Sequence, residues 1–167
     1  MTLRDSSPND ALPRIPWFFR RAPDSDMHHV EVISRLEGER IDELEDLVAA
    51  AMAVDTHEPI GEHKFLRMRQ GDDLAIGFLA YEGERLVGYA HTLTFGEGVE
   101  RRVSCEMVVD PEYRRGGVGG ALMDHVIEHA ESQGAHKLDV WSYNDTPASQ
   151  HFASSYKLQD SRRLLHM

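Results

Sequence analysis

At 167 residues the chain has room for one hydrophobic core, and with 41% hydrophobic and 28% charged residues it has the composition of a globular protein. A formal charge of −11 argues against nucleic acid as a partner, because phosphate neutralisation needs a basic face, and no apolar run nears the roughly 18 residues that cross a bilayer. Residues 1–10 lack the apolar stretch and cleavage site of a secretory signal, and the lone Cys105 has no disulfide partner in the chain, so a reducing cytoplasm is the expected compartment.

Residues 1–28 mix Pro8, Pro13, Pro16 and Pro23 with polar residues and show neither helical nor alternating periodicity. They are expected to form a flexible N-terminal extension outside the core, with residues 29–167 as a single domain. Trp17-Phe18-Phe19 is the exception within that extension, an aromatic cluster that needs a surface to dock on. Alternation then predicts a strand over 30–34. Ile41, Leu44, Val48 and Met52 mark a helix whose wet side carries Glu37, Glu39, Glu43 and Glu45. Strands over 74–81 and 86–94 follow, joined by Glu82-Gly83-Glu84 as a hairpin turn, and a further strand over 102–109 ends at Asp110-Pro111. Val118, Ala121, Leu122, Val126, Ile127 and Ala130 predict a helix over 118–133 that Gly134 stops. Residues 138–141 form a strand parallel to the one over 102–109, and a helix over 147–156 and a strand over 162–167 complete the order β, α, β, β, β, α, β, α, β.

The most telling segment is Arg114-Arg115-Gly116-Gly117-Val118-Gly119-Gly120, a glycine-rich loop between an apolar strand and a helix. The first turn of that helix has backbone N–H groups without intrahelical acceptors, and with the positive end of the helix dipole they attract an anion. Glycines let a phosphate approach the backbone, and Arg114 and Arg115 add charged donors. Spacing narrows the choice. No Gly-Lys-Ser/Thr follows, as a Walker loop requires, and Gly117-Val118-Gly119 is followed by Leu122 where a dinucleotide fingerprint has its third glycine.

What remains is R-x-x-G-x-G, filled by Arg114, Gly117 and Gly119 directly after an apolar strand, and here the chain resembles the GNAT superfamily of acyl-CoA-dependent N-acyltransferases. The resemblance covers most of the chain from about residue 30. It implies an α/β (α+β) fold with a mixed central sheet flanked by helices on both faces. Two further segments, Val54-Asp55-Thr56-His57-Glu58-Pro59-Ile60-Gly61-Glu62 and Ala153-Ser154-Ser155-Tyr156-Lys157-Leu158 with the ending Leu165-His166-Met167, are similar to the N-terminal half of mycothiol synthases. That family has two tandem repeats and is described as doing its chemistry mainly in the second, whereas this chain holds one.

The resemblance implies acetyl-CoA as co-substrate and a primary amine of a small molecule as acceptor, with direct transfer and no covalent enzyme intermediate. A catalytically silent acyl-CoA-binding module and a protein N-acetyltransferase are the alternatives. It also implies that Met107, Val108 and Val109 line the acyl-CoA groove, that Arg115, Gly116, Gly117, Val118, Gly119 and Gly120 with Arg114 take the pyrophosphate, and that Asn144 meets the pantetheine arm. Acetyl transfer needs a base for the amine, polarisation of the thioester carbonyl and a proton for the thiolate. Glu106 is a candidate base, acting directly or through water, or else a strand carboxylate paired with Arg101 or Arg102. Glu62 matches a substrate-contacting glutamate of mycothiol synthases, or else opens a short helix in solvent.

Many GNAT members carry a tyrosine acid about seven residues after the asparagine, where this chain has His151 and Phe152; Tyr156 or Tyr143 is left for the role. His91 is expected to be structural and Cys105 a buried apolar residue. No histidine spacing suggests a metal. The chain stops one strand short of the usual GNAT sheet, which leaves an edge for the N-terminal extension or a second subunit to cover, a homodimer being one outcome.

Overall fold

The computed structural model describes residues 2–4, 28–143 and 146–159. Its strands are β1 (Thr2–Arg4), β2 (His29–Ile33), β3 (Ala75–Glu82), β4 (Arg85–Phe95), β5 (Arg102–Val109) and β6 (Lys137–Trp141). Its helices are α1 (Glu39–Asp55), α2 (Glu62–Gln70), α3 (Val118–Ser132) and α4 (Pro147–Ser155). The strands form one sheet in the order β1-β6-β5-β4-β3-β2, antiparallel at every junction except β5 with β6. This is the expected mixed sheet.

Helical periodicity explains the layers. In α1, Leu44, Leu47, Val48 and Ala51 fall on one stripe and pack with Met68 of α2 against Leu79, Tyr89 and Val108 on one face of the sheet. In α3, Val118, Leu122, Val126 and Ala130 pack on the other face against Phe78, Val87, Val103 and Cys105, joined by Phe152 of α4. Alternation along β5 serves both layers. Val103 and Cys105 join the α3 side, while Val108 joins the α1 side. Cys105 is fully buried, and burial pushes its thiol up to about 12, as an inert apolar residue requires.

Two differences from the sequence reading stand out. Thr2–Arg4 is a strand, paired antiparallel with Lys137, Leu138 and Asp139 on the outer side of β6, so residues 2–4 belong to the sheet rather than lying outside it. Three residues are too few to show alternation, and the pairing comes from backbone groups that carry no sequence signal. The helix α2 was visible only as the short helix that Glu62 opens. The expected strand over 162–167, the aromatic cluster Trp17-Phe18-Phe19 and the cofactor candidate Asn144 lie outside the described residues.

Candidate active site

The site begins where β5 and β6 part. Their parallel pairing runs from Arg102↔Lys137 to Glu106↔Trp141, and β5 then continues through Met107, Val108 and Val109 with β4 still paired on its other side. A groove of about 500 Å³ opens in the gap, between Met107, Val108 and Val109 on one wall and Trp141, Ser142 and Tyr143 on the other. The loop at Tyr113–Gly120 and the α4 residues Ser149 and Phe152 close its remaining sides.

The groove ends on the N-terminus of α3. Gly117 caps that helix in the left-handed conformation at φ 87°, which a side chain would disfavour, and makes no side-chain cap bond. The first helical bond runs from the Ala121 N–H to the Gly117 carbonyl, so the N–H groups of residues 118–120 face out of the helix end, and no acidic residue stands in that first turn. Gly119 packs tightly: a Cβ there would come 3.3 Å from the Phe152 ring. Val118 contributes only its backbone, because its side chain is core. Arg115 is exposed and free of the core at φ 67°. His28 fixes the loop from below, with its Nε2–H donating to the Gly116 carbonyl at 2.8 Å.

Arg114 lines the groove but spends its guanidinium elsewhere. It forms a bidentate pair with Asp55 at the end of α1, at 2.8 and 2.5 Å, and donates from Nε to the Val109 carbonyl at 3.1 Å. The hydrogen bond from Arg114 holds the Asp55 carboxyl below the usual carboxylate range. The pair ties the α1 layer to the strand end, which makes Arg114 a clamp on the loop.

At the point of divergence sits Glu106, 5% exposed and on the α1/α2 side of β5. It does not meet Arg101 or Arg102. Its Oε1 receives the Tyr143 hydroxyl at 3.0 Å and forms an ion pair with the Lys64 ammonium of α2, while its Oε2 is buried without a protein partner. Burial pushes Lys64 down and Tyr143 up from their ordinary values. His91 faces Glu106 across the β4/β5 register, 2% exposed, with its Nδ1 3.2 Å from the Tyr89 hydroxyl and its Nε2 unpartnered. Burial and the nearby Lys64 push its pKa down to about 4, so it is neutral at pH 7. Glu106, Lys64 and His91 form a largely buried polar cluster one residue along β5 from the groove, and the exposed Tyr143 meets it from the groove side.

Two candidates from the sequence stand apart from it. Glu62 opens α2 on the solvent side, outside the groove lining, and the residue of that helix that reaches Glu106 is Lys64. The Tyr156 hydroxyl donates to the Gly120 carbonyl at 3.2 Å and to Asp124 at 3.3 Å, which anchors α4 to α3 and turns the phenol away from the groove. Tyr143 is the phenol at the site. Lys64 went unread because a lysine on an amphipathic helix is ordinarily a solvated one; the apolar residues around it, Ile60, Phe65 and Met68, were the available signal.

The profile of the Acetyltransferase (GNAT) family matches residues 41–156. The chain belongs to the GNAT acetyltransferase family. A mycothiol acetyltransferase of Kineococcus radiotolerans is 35% identical over 132 residues, which cover 79% of this chain and 43% of that protein. The chain thus spans less than half the length of that relative. The GNAT fold is equally clear in solved structures. An aminoglycoside acetyltransferase from an uncultured soil metagenomic sample superposes with a TM-score of 0.65 at 15% identity, over 85% of this chain and 95% of that one. Aminoglycoside N-acetyltransferase AAC(6')-Iy, in complex with CoA, superposes with a TM-score of 0.59 at 17% identity, over 84% and 94%.

Proposed function

We propose that the chain transfers an acetyl group from acetyl-CoA to a primary amine of a small molecule, directly and without a covalent enzyme intermediate. The observation that carries this reading is the parting of β5 from β6 in front of the uncapped α3 N-terminus, with a buried carboxylate at the apex. The residues present fit acetyl-CoA. The open backbone of Met107, Val108 and Val109 offers an extended partner its hydrogen bonds, and the N–H groups of residues 118–120 with Arg115 offer a pyrophosphate its donors. Relatives bearing the name mycothiol acetyltransferase, and aminoglycoside acetyltransferases of the same fold, support a small-molecule acceptor.

Acetyl-CoA supplies a thioester whose carbonyl carbon an amine can attack. The chain's task is to manage protons and charge around it. Glu106 takes a proton from the incoming ammonium, directly or through a water at its unpartnered Oε2, and leaves a nucleophilic amine. Tyr143, its hydroxyl already on Glu106, supplies a proton to the departing sulfur and is restored from the carboxyl group. Low solvent exposure of Glu106 strengthens the interactions made at its carboxylate.

A second reading has its own support. The Lys64 ammonium and the Tyr143 hydroxyl already occupy Glu106 Oε1, and a carboxylate so satisfied is a weak base, as in a silent acyl-CoA-binding module. Calorimetric titration with acetyl-CoA, followed by a thiol-release assay against amines that include cysteinyl-glucosaminyl compounds and basic peptides, separates the readings. Binding with release on small amines supports the transferase, and release on peptides alone moves the acceptor to protein. Binding without any release supports the silent module, and no binding overturns the groove as a CoA site.

A further inference from the structure

The Lys64 ammonium already occupies the carboxylate that would serve an acceptor amine. It rests on Glu106 Oε1, the oxygen that also receives the Tyr143 hydroxyl, and both Tyr143 and Met107, the residue after Glu106, line the groove. One carboxylate oxygen therefore lies between Nζ and the groove wall. The lysine side chain is 16% exposed and the carboxylate 6%, so the pair is nearly dry. Burial favours the neutral amine at Lys64 more than at a surface lysine, and His91 alongside is neutral and adds no competing charge. A nucleophile, a base and a proton donor are thus in contact before any acceptor arrives.

We propose that Lys64 is a self-acetylation site, modified by the chain's own groove when acetyl-CoA is bound and no acceptor amine is present. The inference rests on the reading of the groove as an acetyl-CoA site. Glu106 takes one proton from the Lys64 ammonium, and the nitrogen lone pair forms a bond to the thioester carbonyl carbon. The carbon–sulfur bond breaks, and the sulfur leaves with its electron pair. The second proton released as the amide forms ends on the sulfur, by way of the Tyr143 hydroxyl. The products are a neutral acetamide on Lys64, a free thiol and a protonated Glu106 that returns its proton to water. Acetylation neutralises the cation beside Glu106, so it changes the electrostatic surroundings of the base that the intermolecular reaction uses.

The sequence makes the test clean, because Lys64, Lys137 and Lys157 are the only three lysines. Lys137 sits at the start of β6, at the far end of the strand pair from the groove, beside Asp139 at 3.4 Å. Lys157 is exposed after α4. The full-length protein is incubated with acetyl-CoA alone and its peptides are mapped by mass spectrometry over time, with calorimetric titration of acetyl-CoA in parallel. The expected result is acetylation at Lys64 roughly tenfold or more faster than at the other two, with Glu106→Gln removing that excess so that the three lysines react at comparable rates. Should Glu106→Gln fail to fold, the relative rates of the three lysines in the unaltered protein decide. Equal rates, or an unmodified Lys64 in a protein that binds acetyl-CoA, overturn the inference and leave the groove reading standing. Absence of acetyl-CoA binding removes both.

Discussion

Gly88 is the residue whose substitution most directly links packing to the site. It lies on β4 opposite Val109, under the first turn of α3, and a Cβ built on it falls 2.6 Å from Val118 Cγ1, 3.0 Å from Leu122 Cδ1 and 3.5 Å from the Val108 carbonyl oxygen. Carbon atoms prefer separations of roughly 3.5–4.0 Å, so the nearest contact is short by about 1 Å. Val118 cannot easily turn aside, because a β-branched residue in a helix keeps one strongly preferred rotamer. The first turn of α3 must move instead. Overpacking of this kind costs roughly 1–3 kcal/mol, and about 2 kcal/mol in a domain of this size lowers Tm by roughly 4–8 °C. The same displacement shifts the N–H groups of residues 118–120, so Gly88→Ala also raises KM for acetyl-CoA more than it lowers kcat. The cycle with Val118→Ala isolates the cause. That change alone loses about 2 kcal/mol of burial and packing, but it removes Cγ1, so the double variant is more stable than the sum of the single effects by about 1 kcal/mol. Urea unfolding followed by circular dichroism measures all four proteins. Additivity within about 0.5 kcal/mol, or an unchanged Tm for Gly88→Ala, refutes the packing argument.

Glu106→Gln keeps the shape of the side chain and removes the base, so kcat in the thiol-release assay falls roughly 10²- to 10⁴-fold while acetyl-CoA still binds in calorimetry; an unchanged kcat removes Glu106 from the chemistry. Tyr143→Phe lowers kcat roughly tenfold or more with little change in Tm, whereas Tyr156→Phe leaves kcat intact and loses about 1 kcal/mol from the bonds to Gly120 and Asp124. The opposite pattern would return the proton donor to Tyr156. His91 titrates near 4 in the folded protein and near 6.5 in an unfolded chain, so between those values the unfolded state binds the extra proton. Its contribution to stability is therefore lost progressively as pH falls from about 6.5 to about 4, by up to about 3 kcal/mol, and is complete above that window. His91→Gln flattens this stretch of the unfolding free energy against pH, and parallel profiles for the two proteins would contradict the assignment.

How much of this was legible in the sequence depended on how local the signal was. The glycine loop could be read because its physics is contiguous: a strand, a turn, missing side chains and a helix end lie within 15 residues, from Val108 to Leu122. The core helices were legible for the same reason, since their periodicity is internal to each segment. The cluster around Glu106 was only half legible. Its members come from β5, α2, β4 and the segment after β6, and nothing in the neighbourhood of Lys64 or Tyr143 says that they share a carboxylate. Arg114 shows the opposite failure. Its motif position read as an anion donor, yet Asp55, 59 residues earlier, claims its guanidinium. Tyr156 and Tyr143 were left as substitutes because the family's spacing from Asn144 falls on His151 and Phe152, and nothing local showed that the turn at the end of α4 directs the Tyr156 hydroxyl to α3.

The position of the site follows from one feature of the topology. Among the described residues β5 and β6 are the only parallel neighbours, so the chain must cross the sheet between them, and α3 is that crossover. A crossover helix starts at the carboxyl end of the first strand. In a parallel pair that is also the carboxyl end of the second, so two strand ends and a helix N-terminus converge on one spot. Ending the pairing at Glu106↔Trp141 opens that spot. Alternation then divides the strand: Met107 faces the α3 side and lines the groove, and Glu106 faces the α1/α2 side with Lys64 and His91. A slip of one residue in β5 would exchange the two faces, placing a carboxylate under α3 and a methionine against a buried ammonium. Each of those placements is costly, so the burial that fixes the register of β5 also fixes where carboxylate and groove meet.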